Sequence, residues 1–141
     1  MRTAAERYKQ ELRDADLRAT SGRLAVLGAL DESPHSTAER VFELISPALP
    51  ATSPQAVYLV LGDLTRAGLI RRFEPAGSPA LYERRIGDNH HHLVCEVCGT
   101  VQDVDCAVGR APCLTPSDGS GFHVREAEVT YWGVCANCRR A

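Results

Sequence analysis

Eleven residues, Asp88 to Cys98, concentrate ligands of two kinds in one short stretch of this 141-residue chain. Three consecutive histidines, His90, His91 and His92, run straight into a Cys-x-x-Cys pair, Cys95 and Cys98. Leu93 and Val94 between them favour extended backbone, in which successive side chains point to opposite faces. A strand starting near His90 therefore puts His90 and His92 on one face and His91 and Cys95 on the other. That parity predicts two metal sites back to back on one element, one rich in thiolate and one built from imidazoles. A second Cys-x-x-Cys, Cys135 and Cys138, lies at the chain's end, and the two pairs together read as a four-thiolate zinc site. The 36 residues between the pairs exceed what a compact ribbon uses, so the pairs join distant parts of one domain. Two disulfides are the alternative, and they require an oxidising compartment.

The remaining composition bounds the setting. A chain of this length holds one large or two small domains. Its first ten residues are charged and carry no apolar run, so no signal peptide is read there, and no apolar stretch is long enough to span a bilayer. A cytoplasmic chain is expected, in which six cysteines serve metal or redox chemistry rather than structural disulfides. The net charge of −2 is unevenly spread. Residues 1–87 carry twelve Lys/Arg against eleven Asp/Glu, whereas residues 88–141 carry four against seven. A polyanionic partner should meet the first half.

Four helices and a hairpin are expected in that half. A polar helix around Thr3–Asp14 carries charges suited mostly to a solvated face. Thr20 caps a second helix with Leu24, Ala25, Leu27 and Ala29 as its apolar stripe. Ser36-Thr37-Ala38-Glu39 has the capping-box pattern, followed by Val41, Phe42, Leu44 and Ile45 as a buried face. Ser53 caps a further helix with Pro54 at its first position, burying Val57, Val60, Leu61 and Leu64 and ending at Gly68. Two strand-like runs, Leu69–Glu74 and Ala80–Ile86, flank a turn at residues 75–79. The last three helices and the hairpin make a winged helix-turn-helix.

In such a fold the helix after Ser53 enters the DNA major groove by its N-terminal half. Its outward face at helical spacing is Gln55, Tyr58, Leu59 and Gly62, with Arg66 one turn on. A glutamine pairs with adenine edges, and a tyrosine ring packs on a thymine methyl or reaches a phosphate. Arg18, Arg23, Arg71 and Arg72 are candidate phosphate contacts. With Ser53, Gln55 and Tyr58 they form the candidate DNA-binding set.

These residues resemble the ferric uptake regulator family over essentially the whole chain, closest to its actinobacterial, peroxide-responsive branch associated with catalase-peroxidase. The matching marks are Ser53-Pro54-Gln55-Ala56-Val57-Tyr58, Gly87-Asp88-Asn89-His90-His91-His92 and Cys95-Glu96-Val97-Cys98-Gly99. They continue with Asp103-Val104-Asp105-Cys106 and with residues 131–138, from Tyr131 to Cys138. The resemblance implies an α+β protein: a winged-helix DNA-binding domain over residues 1–84, then a small α/β dimerisation domain over residues 85–141 with a four-cysteine zinc site. It implies a homodimeric, metal-dependent repressor that binds a pseudo-palindromic operator, is not an enzyme, and holds structural Zn²⁺ and regulatory Fe²⁺ or Mn²⁺. The regulatory ligands it implies are His35, Glu83, His90, His92 and Asp103, a set of imidazoles and carboxylates that suits these metals.

The sequence also departs from the family. Leu59 stands where an Arg often follows the tyrosine, removing one phosphate or base contact. Glu126-Ala127 falls where many relatives carry a further histidine, and Asn89 and His91 replace residues of an accessory site. His91 and His123 are then spare imidazoles. Cys106 and Cys113 lie outside the zinc pairs, as buried apolar cysteines or as a redox pair. A thiol-switched repressor using them is the main alternative. A zinc hydrolase using His90, His92 and Glu83 around an open water position is weaker, since it requires no helix-turn-helix.

Overall fold

The computed structural model describes residues 1–84, 90–105, 119–124 and 128–140. They fall into two units, Met1–Ile86 and Gly87–Ala141, each with its own three-stranded sheet.

The first unit opens with α1 (Ala4–Asp14), started by a full capping box in which Thr3 and Glu6 satisfy each other's backbone N–H groups. This helix is not solvated all round. Tyr8 and Leu12, four residues apart, are buried, and Leu12 alone contributes about 1.5–3 kcal/mol by leaving water. α2 (Ser21–Glu32) is capped by Thr20, as expected. Its buried residues are Val26, Leu27, Ala29 and Leu30, while Leu24 and Ala25 of the expected stripe are only half-buried. The wider stripe has a cause: α2 packs against α1, α3 (Ala38–Ile45), α4 (Pro54–Arg66) and a strand at once.

α3 begins one residue later than its capping-box pattern implies. Thr37, not Ser36, is the cap, its hydroxyl accepting from Arg40 N–H at 3.1 Å. Ser36 instead donates to the Ser33 carbonyl at 2.6 Å and enters the two-residue strand β1 (Ser36–Thr37). α4 follows the expected plan. Ser53 Oγ accepts from Ala56 N–H at 3.1 Å, Pro54 occupies the first turn, and Val57, Leu61 and Leu64 are buried, whereas Val60, also expected inside, is half-buried. It ends with Gly68 at φ 76°, Gly68 N–H bonding to Thr65 O and Leu69 N–H to Leu64 O. A side chain at Gly68 would be strained by that left-handed backbone.

The hairpin strands β2 (Arg71–Phe73) and β3 (Leu81–Glu83) are shorter than expected, and the sheet order is β1-β3-β2. β1 pairs antiparallel with β3, Ser36 opposite Tyr82 and Thr37 opposite Leu81, which ties the helical core to the hairpin. Two residues carry no periodicity, so this strand is invisible to pattern reading.

In the second unit β4 (His91–Cys95) is the central strand, antiparallel to β5 (Val101–Val104) and parallel to β6 (Thr130–Gly133). One turn of helix, α5 (Ala136–Arg139), follows. Among the described residues of this unit the buried apolar side chains are Val94 and Cys95, with His90, His91 and His92 buried beside them.

Candidate metal centres and nucleic-acid interface

The four-thiolate cluster is assembled by the parallel pairing of β4 with β6. That register sets Cys95 opposite Gly133, and Glu96 N–H bonds to Gly133 O at 2.8 Å, so Cys135 arrives beside the loop after β4. The loop itself turns at Gly99, φ 77°, and is closed by Cys95 N–H to Thr100 O at 3.0 Å. The Sγ atoms of Cys95, Cys98, Cys135 and Cys138 all lie within 4.8 Å of one another, and all four are free thiols. Cys98 Sγ is 3.8 Å from Cys135 Sγ. A tetrahedron with Zn–S of about 2.3 Å has edges of about 3.8 Å, so the cluster fits zinc without rearrangement of that pair.

Backbone polarity prepares the thiols unequally. Cys135 N–H and Cys98 N–H approach Cys95 Sγ at 3.4 and 3.5 Å, and these donors bring the Cys95 thiol down to about 6. Thr100 Oγ1, 3.0 Å from Cys98 Sγ, lowers Cys98 in the same sense. Sequence reading does not single out Thr100, whose only signal is a hydroxyl directly after Cys-x-x-Cys-Gly. Cys138 is pushed up to about 12, first by its bond with Cys135 and then by burial. Thiolate is the ligand form, so Cys138 must lose a proton to join a metal.

The opposite parity of β4 carries a second donor set. The rings of His90 and His92 meet edge to face with centroids 5.0 Å apart, and Asp103 Oδ1 lies 3.5 Å from His90 Nε2 and 3.3 Å from His92 Nε2. The antiparallel register, His92 opposite Asp103, accounts for the carboxylate's place. His91 faces away from this set, and its Nδ1 accepts from Val129 N–H at 3.2 Å. Two imidazoles and a carboxylate suit a divalent first-row metal.

The first unit holds the other two expected donors together. His35 Nε2 is 2.9 Å from Glu83 Oε2, the carboxylate only 1% exposed. His35 takes φ 59°, in the left-handed region that non-glycine residues rarely occupy. Beside Glu83, Arg84 donates to Glu11 at 2.6 Å, to Asp31 at 3.3 Å and to Leu69 O at 2.8 Å, and stacks over Tyr8. Tyr8 in turn donates to Asp31. Sequence reading misses Arg84 too, because its partners lie 15 to 73 residues away.

On α4, Tyr58 is 57% and Leu59 70% exposed, and Gln55 is exposed on the same side. Ser53 acts as the helix cap. The arginines differ. Arg18 is exposed, but Arg23 is held by Asp63 at 3.0 Å and by Arg18 O at 2.8 Å. Arg71 is half-buried, and Arg72 pairs with Glu74 at 3.0 Å. Cys106 and Cys113 lie outside the described residues, as do Asn89 and Glu126.

A winged helix-turn-helix followed by a unit with a four-cysteine cluster and buried histidines beside a carboxylate defines a metal-responsive DNA-binding regulator. The sequence profile of the Ferric uptake regulator family matches residues 14–131, and the chain belongs to that family. It is 57% identical over 131 residues to Transcriptional regulator FurA of Mycobacterium tuberculosis (strain ATCC 25618 / H37Rv), covering 93% of this chain and 89% of that one. The Vibrio cholerae ferric uptake regulator superposes with TM-score 0.67 at 26% identity, covering 90% of this chain and 98% of that one. The Pseudomonas aeruginosa ferric uptake regulator with manganese gives TM-score 0.67 at 25% identity, covering 92% and 98%. No helix among the described residues is long and apolar enough to cross a membrane.

Proposed function

We propose that this regulator is a homodimeric repressor, peroxide-responsive and dependent on Fe²⁺ or Mn²⁺, that reads a pseudo-palindromic operator. The observation that carries this reading is a pair of incomplete donor sets: His35 with Glu83 in one unit, and His90, His92 and Asp103 in the other. Imidazole and carboxylate donors suit Fe²⁺ or Mn²⁺, and a metal that binds the DNA-competent arrangement more tightly than any other shifts the population towards it. Shifting a 99:1 population to its reverse needs about 5.5 kcal/mol of such differential binding. The four cysteines would hold Zn²⁺ as a structural ion. Homodimerisation is supported by the exposed apolar side chains Leu93, Trp132 and Val134 on the second unit.

If bound here, Fe²⁺ would supply the electron that converts peroxide to an oxidant, and Mn²⁺ would not. In this reading His35 and His90 take up oxygen and become poorer ligands. The test is DNA binding by the Fe²⁺ and Mn²⁺ forms before and after brief peroxide exposure, with mass spectrometry of the peptides. Release of the Fe²⁺ form alone, with added oxygen on His35 or His90 and zinc retained, is expected. Equal release of both forms, abolished by Cys106→Ser, would transfer the sensor role to Cys106 and Cys113.

A further inference from the structure

We infer that Leu59 is a specificity-determining residue of this regulator, packing on the 5-methyl group of a thymine in each half-site. The inference rests on the DNA-binding reading above and deepens it. A single exposed leucine on a protein surface is ordinary. This one is 70% exposed, beside an exposed Tyr58 and four residues beyond Gln55, on the N-terminal half of α4. That is the part of a helix-turn-helix that meets base edges.

Charge narrows what this face can recognise. Gln55, Tyr58, Leu59 and Gly62 include no ionisable cation or carboxylate. The cations nearby are turned to Asp63: Arg23 at 3.0 Å, and Arg66 at 2.7 Å. Arg66 folds back over Gly62, where an added Cβ would stand 3.3 Å from its Nη1. A bidentate arginine or lysine contact to guanine is therefore missing from the first two turns. The apolar group that the major groove displays is the thymine methyl. Leu59, branched, wholly apolar and 70% exposed, matches that group in chemistry.

The test uses full-length zinc-containing protein loaded with Mn²⁺ and a duplex selected by it from a random-sequence library. Each thymine of the selected duplex is then replaced in turn by deoxyuridine, which removes only the methyl. One position per half-site should lose about fourfold in affinity, the equivalent of ~0.8 kcal/mol for one buried methyl-sized group. Leu59→Ala, which alters both half-sites of the dimer, should bind the thymine duplex about sixteenfold more weakly and show no further loss with deoxyuridine, whereas Leu59→Met should keep the penalty. An undiminished deoxyuridine penalty in Leu59→Ala, or no penalty in the parent, overturns the inference while leaving DNA binding intact. Enrichment of no sequence at all overturns both.

Discussion

His35 and Glu83 meet because Ser36 pairs with Tyr82: one step outward along the same antiparallel register sets residue 35 opposite residue 83. The contact is thus built by the short strand β1, and the backbone of His35 is bent to φ 59° in making it. Residues held in so sparse a region cost of order 1–3 kcal/mol and persist where the surroundings demand them. Two substitutions separate the backbone from the ligand. His35→Ala keeps the strain and removes the partner of a buried carboxylate. His35→Asn removes the same partner but tolerates the left-handed region, so it should be more stable than His35→Ala by about 1 kcal/mol. Both should lose regulatory-metal binding equally. Urea unfolding and Mn²⁺ titration of the pair measure the two effects.

Zinc uptake by the metal-free protein should release protons. At pH 7 Cys95, near 6, is already largely thiolate, but Cys138, near 12, is not. Cys138 must surrender its proton on ligation, so at least one proton leaves per zinc and affinity rises with pH. Calorimetry in two buffers of different ionisation enthalpy counts the protons. Cys98→Ser should lose tightly bound zinc and loosen the second unit, and a zinc content of one per chain in that variant would contradict the assignment.

Tyr8 offers a titration in the first unit. Burial, and then its hydrogen bond to Asp31, push its phenol up to about 12 from an ordinary value of 10. Folding therefore favours the protonated phenol. Its contribution is complete below pH 10 and is lost as pH rises through 12. Tyr8→Phe should cost about 1–2 kcal/mol near neutrality, and the gap between parent and variant should close in alkali. Urea midpoints at about pH 8 and above about pH 11 provide the comparison.

Arg18 and Arg23 should behave differently on DNA. Arg23 is engaged by Asp63, joining α2 to α4, so Arg23→Ala should cost less than about 1 kcal/mol of stability and leave the salt dependence of binding unchanged. Arg18 is exposed. If it meets a phosphate, Arg18→Ala reduces the slope of log K against log salt by about 0.9 per protomer, about 1.8 for the dimer. Affinities at a series of salt concentrations distinguish them.

Much of the first unit is legible in the sequence because its signals are local. Thr3, Thr20 and Ser53-Pro54 start helices through bonds spanning three residues, and Gly68 ends one because only glycine takes its φ without strain. The ligand chemistry is legible too, since thiolates in Cys-x-x-Cys pairs and the alternation of His90, His91 and His92 along a strand are short-range facts. Pairings between distant segments are not. Thr37 rather than Ser36 caps α3 because β3 recruits Ser36 into a sheet, which no property of residues 36–39 announces. Arg23 and Arg84 look like any surface arginine until Asp63, 40 residues on, and Glu11, 73 residues back, are brought against them. The parallel register of β4 and β6 likewise turns two Cys-x-x-Cys motifs into one cluster. Local hydrogen bonding and side-chain type are written residue by residue; which strands pair, and in what register, is decided only when the whole chain buries its apolar surface.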